Sequence, residues 1–340
     1  MTPAKPRLVL TLGDPAGIGS ELVARLLADQ EAREAADVLI LGDEGELKEG
    51  MKTAGLSFDY DVVTGAAALS EASGTPLFLQ VGRAPETGWK RAEATAEGGA
   101  HCLSTLGTGL DLVSTGQADA LVFAPLNKAS LHLAGMRQSD ELHWFADRLG
   151  HNGSVSELNV MEGLWTSRVT SHVALREVAD LITEDKIIEA SRLIHNALVE
   201  AGIETPRIGV CGLNPHNGDN GNFGTEEIEI IVPAVERAKA LGLPVEGPYP
   251  SDTIFLKAVA KELDAVVTLY HDQGQIAIKL LGFWQGVTVQ GGLPVPVTTP
   301  AHGTAFDIRG KGCANVGPMR NAWNIACTMG ARRRSSRISQ

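Results

Sequence analysis

Three of the nine histidines stand just past apolar, strand-like runs: Val169-Thr170-Ser171-His172, Val210-Cys211-Gly212-Leu213-Asn214-Pro215-His216 and Val267-Thr268-Leu269-Tyr270-His271. In an open α/β sheet, ligands bind beyond the carboxyl ends of the strands, where each of these imidazoles is expected. Three imidazoles with open positions suit Zn²⁺ or another divalent transition metal and leave room for substrate oxygens. Each histidine taken alone reads more readily as a turn residue, and the three together on this pattern read evenly as turn residues or as ligands. The surrounding loops favour a ligand: Asn214-Pro215-His216-Asn217-Gly218-Asp219-Asn220-Gly221 is polar and glycine-rich, and Tyr270-His271-Asp272-Gln273-Gly274 sets a carboxylate beside an imidazole. Lys279 is a lone cation among Ile276, Ala277, Ile278, Leu280 and Leu281, either snorkelling to solvent or touching substrate.

The elements that must position these groups follow from hydrophobic patterning. Apolar runs at 7–12, 38–41, 77–81, 120–123, 207–212, 265–269 and 287–289 read as strands, and helix-period stretches at 92–114, 183–201, 225–241 and 252–261 lie between many of them. Strands alternating with helices imply a largely parallel sheet covered on both faces. Thr183 is placed to cap the helix that follows, with Glu184 and Asp185 in its first turn. Gly13-Asp14-Pro15-Ala16-Gly17-Ile18-Gly19 lacks the Gly-x-Gly-x-x-Gly spacing of a dinucleotide fingerprint and reads as a tight turn opening a βα unit, so no cofactor-binding residue is assigned. His195 reads as a helix-face residue. Polar, irregular 135–153 is the expected crossing between domains, with a second near 291–298.

Composition narrows the function classes. With 340 residues, 44% hydrophobic and 21% charged, the chain is expected to bury large cores in two domains. The 29 Lys+Arg against 41 Asp+Glu give a net charge of −12, which repels a phosphate backbone and argues against nucleic acid. The basic run Arg332-Arg333-Arg334 with Arg337 reads as a solvated tail. No membrane partner and a cytoplasmic location are expected, since no apolar stretch reaches membrane-spanning length and no secretory leader is evident. The four cysteines are too sparse for a disulfide scaffold and read as reduced core residues.

Taken together and in order, Gly13-Asp14-Pro15-Ala16-Gly17-Ile18-Gly19, Ser171-His172, Gly212-Leu213-Asn214-Pro215-His216, Pro250-Ser251-Asp252-Thr253, Tyr270-His271-Asp272-Gln273-Gly274 with Lys279, and His302-Gly303-Thr304-Ala305 resemble the 4-hydroxythreonine-4-phosphate dehydrogenase family. The resemblance implies a two-domain α/β/α fold similar to isocitrate and isopropylmalate dehydrogenases, with the active site in the interdomain cleft. The domains are expected at 1–137 with 292–334 and at 138–291, followed by a flexible tail at 335–340. It also implies a homodimer whose metal site is shared across the subunit interface, and oxidation of a secondary alcohol β to a carboxylate by NAD or NADP, followed by loss of CO₂. His172, His216 and His271 match the metal ligands, for zinc first, with magnesium, manganese or cobalt open, and Lys279 matches a substrate lysine. Asp252, Asp272 and Lys279 are the catalytic candidates; the two aspartates would orient the imidazoles or accept a proton.

Four family substrate contacts are altered. Glu141 and Leu142, followed by His143, stand where the family has a His and a Thr, and Thr288 and Val297 stand where it has an Asn and an Arg. Losing the Arg removes a bidentate anion clamp, and Glu141 adds negative charge beside an expected phosphate. The leading expectation is therefore a β-hydroxy acid with fewer anionic groups, a sugar acid or a cis-dihydrodiol carboxylate, contacted by Glu141, Leu142, His143, Lys279, Thr288 and Val297. The alternatives are the orthodox vitamin B6 enzyme acting on 4-hydroxythreonine 4-phosphate, and a non-catalytic protein that binds a small acid.

Overall fold

A computed structural model describes residues 5–65, 69, 74–161, 163–282 and 285–338. In chain order its strands are β1 (Arg7–Thr11), β2 (Asp37–Gly42), β3 (Asp61–Val63), β4 (Leu77–Gln80), β5 (Ala120–Phe123), β6 (Ser156–Met161), β7 (Leu164–Arg168), β8 (Ile208–Cys211), β9 (Val245–Tyr249), β10 (Ala265–Thr268), β11 (Val287–Gly291) and β12 (Val297–Pro300). The helices are α1 (Gly19–Ala28), α2 (Gln30–Ala35), α3 (Glu44–Ala54), α4 (Ala96–Ser114), α5 (Lys128–Leu133), α6 (Glu141–Arg148), α7 (Val178–Leu181), α8 (Glu184–Glu200), α9 (Val232–Ala240), α10 (Ile254–Val259), α11 (His271–Gly282) and α12 (Gly317–Ile338). None of them is long and apolar enough to cross a membrane. The chain divides into two compact units, Met1–Asn152 with Leu293–Gln340, and Gly153–Gly292.

In the first unit the strand order is β3-β4-β2-β1-β5-β12, with every pair parallel. Helices cover both faces of such a sheet, so its central strands are continuous apolar runs; Leu8, Val9, Leu10, Leu39, Ile40, Leu121 and Val122 are fully buried. The glycine-rich turn after β1 is shaped by close packing. A Cβ on Gly13, whose φ is +71°, would lie 2.5 Å from the Pro125 carbonyl oxygen, and one on Gly19 would lie 2.1 Å from that of Leu12. Side-chain caps set the helix starts: Asp43 accepts from Gly45 N at 2.7 Å ahead of α3, and Thr95 accepts from Gly98 N at 3.0 Å ahead of α4. The helix expected from residue 92 thus begins at Ala96.

Several expectations change in the structure. The 138–152 stretch, read as part of the second domain, belongs to the first unit, and 141–148 of the expected irregular crossing is helix α6. The cause is packing: Phe145 meets Phe123 edge-on with ring centres 5.7 Å apart, and Arg148 pairs with Asp111 at 2.7 Å. The basic C-terminal run is no solvated tail, since α12 continues to Ile338. Arg333 donates to the Pro294 carbonyl at 2.9 Å and Arg334 to that of Lys5 at 2.9 Å, while Arg337 pairs with the fully buried Asp119. The cysteines also divide: Cys102 and Cys211 are core residues, whereas Cys313 is exposed.

His101, on α4, is buried against Trp89 with ring centres 4.9 Å apart. Burial pushes its pKa down to about 4, against a smaller opposing pull from Asp43. The folded state therefore holds it neutral, while the unfolded chain takes up a proton below pH ~6.5. Stability from this group is fully present above pH ~6.5 and is lost as pH falls, by about 3 kcal/mol at pH 4. Urea unfolding of the wild type and of His101→Phe across this range should show a shallower acid decline in the variant; parallel curves would contradict it.

In the second unit the order is β11-β6-β7-β10-β8-β9. The β11–β6 and β6–β7 pairs are antiparallel, so this sheet is mixed, and β7-β10-β8-β9 are successive parallel neighbours. Ala265, Val266 and Val267 of β10, the middle strand of β7-β10-β8, are fully buried. Thr183 caps α8 by accepting from Lys186 N at 3.3 Å.

Candidate functional site

Because β7, β10, β8 and β9 run parallel and adjacent, their carboxyl ends share one edge. The loops leaving that edge carry His172 after β7, His271 after β10, His216 after β8 and Asp252 after β9. Pairing between the β7 and β10 segments continues past the strands, with Val169 N donating to the Thr268 carbonyl at 2.9 Å and Thr170 N to that of Leu269 at 3.1 Å. The Thr170 hydroxyl adds a bond to the same Leu269 oxygen at 2.8 Å. This holds the two loops side by side up to their histidines, and the His172 and His271 rings lie 5.7 Å apart, centre to centre, inclined by 42°.

His271 is further oriented by its neighbour. Its Nδ1 lies 2.7 Å from an oxygen of the exposed Asp272; since a carboxylate only accepts, Nδ1 carries the proton and Nε2 is left as the electron-pair donor. His216 is exposed and starts a run of five left-handed residues, His216 to Asn220, with φ between 43° and 76°. Such backbone costs roughly 1–2 kcal/mol for each residue with a Cβ, somewhat less for Asn and Asp. Hydrogen bonds offset it: Asn217 Nδ2 donates to the Pro248 carbonyl at 2.9 Å and Phe223 N to that of Gly218 at 3.0 Å.

Two imidazoles on one zinc, with Zn–N near 2.0–2.1 Å, hold their ring centres about 5 Å apart, so the His172–His271 pair fits a shared divalent ion. His216 occupies the loop of the adjacent strand, but among the described residues no three His, Cys, Asp or Glu side chains gather around one point within this chain. The expected three-histidine set is thus two neighbouring imidazoles and a third on the next loop. Asp252 is exposed two residues before α10, and Lys279 is exposed on α11.

The expected substrate contacts fall in both units. In the first unit Asp140 caps α6, accepting from His143 N at 2.9 Å and approaching His143 Nδ1 at 2.6 Å. Burial raises the Asp140 pKa, but the His143 N–H and ring outweigh it and hold the carboxyl below its ordinary value. Glu141, half-buried, opens the helix, and His143 is exposed. Leu142 and Val297 are buried, at 2% and 0% exposure, Val297 within β12 opposite Leu121. Neither offers a surface to a ligand in this structure, because an apolar side chain at these places gains more from the core than from a wet pocket. In the second unit Thr288 is half-buried on β11, opposite Asn159.

Sequence reasoning missed two polar residues at this edge. Gln273 bridges the loops after β10 and β8, and Glu227, 2% exposed, accepts hydrogen bonds from the backbone of Leu213 and Asn214. The signal for Gln273 was its place directly after His271-Asp272; the spacing from His216 to Glu227 carried none.

Comparison with known proteins agrees with the motifs. The family model described as "Pyridoxal phosphate biosynthetic protein PdxA" matches residues 34–326. A Pseudomonas aeruginosa protein named "Putative 4-hydroxythreonine-4-phosphate dehydrogenase 2" is 57% identical over 330 residues, covering 96% of this chain and 98% of its own length. A Cupriavidus necator protein named D-threonate 4-phosphate dehydrogenase is 36% identical, covering 96% and 98%. The crystal structure of 4-hydroxythreonine-4-phosphate dehydrogenase from Klebsiella pneumoniae superimposes with a TM-score of 0.83 at 33% identity, over 97% of this chain and 99% of that one. The chain, with its histidine-bearing parallel edge, belongs to the PdxA family of dehydrogenases.

Proposed function

We propose that the protein is a metal-dependent, NAD- or NADP-linked dehydrogenase that oxidises the secondary alcohol of a 4-phosphorylated hydroxy acid of the hydroxythreonine or threonate type. The observation that carries this reading is the pair His172 and His271, brought to 5.7 Å by the parallel pairing of β7 and β10. Relatives named for 4-hydroxythreonine 4-phosphate and for D-threonate 4-phosphate support the substrate class.

His172 and His271 would hold the cation, with His216 as third ligand. When bound, a divalent cation would acidify the substrate hydroxyl and, once the alcohol is a ketone, favour loss of CO₂ from the β-keto acid; nicotinamide would take the hydride. Asp272 keeps the His271 ring in one tautomer and one orientation. Lys279 offers a cation to a substrate carboxylate or phosphate. A site shared between two copies would explain why one chain does not gather three ligands. Exposed Ile276, Leu280 and Leu281 on α11, with Leu256 and Val259 on α10, supply the apolar surface such a dimer would cover.

A second reading, an unphosphorylated acid, is favoured by one observation: Val297 is wholly buried and leaves no anion clamp at that position. Nicotinamide reduction, followed by absorbance with both nucleotides and added divalent metal, separates the two. The 4-phosphates of hydroxythreonine and threonate are expected to turn over with kcat/KM of ~10⁴ M⁻¹s⁻¹ or better, ahead of the unphosphorylated acids. The reverse order would establish the second reading, and bound metal without any nucleotide reduction would favour a small-acid-binding protein.

A further inference from the structure

We infer that Gln273 and Glu227 are positioning residues that hold the His271 and His216 loops in register, an inference that rests on reading these histidines as ligands. Regular pairing between β8 and β10 ends at Val210 opposite Val267. Beyond it the backbone diverges, and Gly212 N turns toward β9 to donate to the Tyr249 carbonyl at 2.8 Å. The Gln273 amide spans the gap: its Oε1 accepts from Leu269 N at 2.7 Å and its Nε2 donates to the Gly212 carbonyl at 2.9 Å. One side chain thereby fastens the two strand ends, two residues before His271 and four before His216. It uses an acceptor and a donor at once, a combination that at this length only glutamine provides.

Glu227 acts on the same loop from the other side. It lies on the π-helical turn Glu227–Ile231 before α9, and its buried carboxylate is satisfied by the residues that lead into Pro215-His216. Oε1 accepts from Leu213 N and Asn214 N, both at 2.7 Å, and Oε2 from Asn214 Nδ2 at 2.9 Å. A carboxylate so placed fixes the takeoff of a loop whose next five residues are left-handed.

The test uses the full-length protein stripped with a chelator and titrated with Co²⁺, whose visible absorption reports both affinity and coordination geometry. Gln273→Met and Glu227→Leu are expected to raise the Co²⁺ dissociation constant 10- to 100-fold and alter the absorption bands, with the melting temperature of the metal-free protein close to wild type. Glu227→Gln, which keeps an acceptor for Leu213 and Asn214, should stay within about threefold of wild type. Gln273→Glu, which keeps the length and the acceptor but loses the donor, carries the test if Gln273→Met does not fold. Unchanged affinity and spectrum in the Gln273 variants would overturn the inference while leaving the ligand reading intact. A wild-type protein that binds no Co²⁺ would overturn that reading, and the inference with it.

Discussion

His271→Ala is expected to lower kcat/KM at least about 100-fold, because even residues that only support a metal ligand cost 10- to 100-fold when removed. Three features converge on this imidazole. It follows the strand that lies between those bearing His172 and His216, its ring centre lies 5.7 Å from that of His172, and Asp272 hydrogen-bonds its Nδ1. The internal control is His195→Ala, since His195 sits on the face of α8 with its Nδ1 3.3 Å from Asn196 Oδ1. That variant should remain within about twofold of wild type, as surface substitutions usually do. Steady-state kinetics with saturating Zn²⁺, together with metal content per chain, checks both. Equal losses in the two variants would mean that the histidine set is misplaced.

Asp119→Asn is expected to destabilise the fold by about 3–5 kcal/mol, the cost of removing one partner from a buried charge cluster. The Asp119 carboxylate is fully buried and is the focus of three arginines: Arg337 pairs with Oδ1, Arg334 lies 3.7 Å from Oδ2, and Arg7 Nε lies 3.8 Å from Oδ2. Arg7 N also donates to Oδ2 at 2.8 Å. The neutral amide keeps the shape but leaves the arginines without their counter-charge. Arg337→Ala should cost less, about 1 kcal/mol, because Arg7 and Arg334 still neutralise the carboxylate. Urea midpoints of the three proteins check this, and a loss below about 1 kcal/mol for Asp119→Asn would show that solvent reaches the cluster.

The central strands of both units were legible because parallel strands covered on two faces must be continuous apolar runs, as in 7–12 and 265–269. Strands β6 and β7 escaped because SELNVM and LWTSR mix polar and apolar residues: β6 is half-exposed, and β7 buries the polar Thr166 and Ser167 without an apolar run to mark it. Edge strands β3 and β9, the latter containing glycine and proline, also lacked an apolar run. At the candidate site the histidines were visible because their type and their place after strands repeat. The depth of Leu142 and Val297 was not, since counting along a motif locates a residue in the chain without saying which way its side chain points. The C-terminal arginines were misread for the same reason: Asp119, which Arg334 and Arg337 meet, lies more than two hundred residues away.

The first unit is assembled from both ends of the chain, whereas the second is a single uninterrupted stretch. Strand β12 pairs with β5, and α12 packs on both, so the first unit lacks an edge strand and a covering helix until residues 297–338 have been made. During synthesis from the N-terminus, the contiguous unit is therefore the first to have all its parts available. The earlier-made β1–β5 segment meanwhile waits with an open edge, the stage at which a nascent chain is most exposed to mispairing.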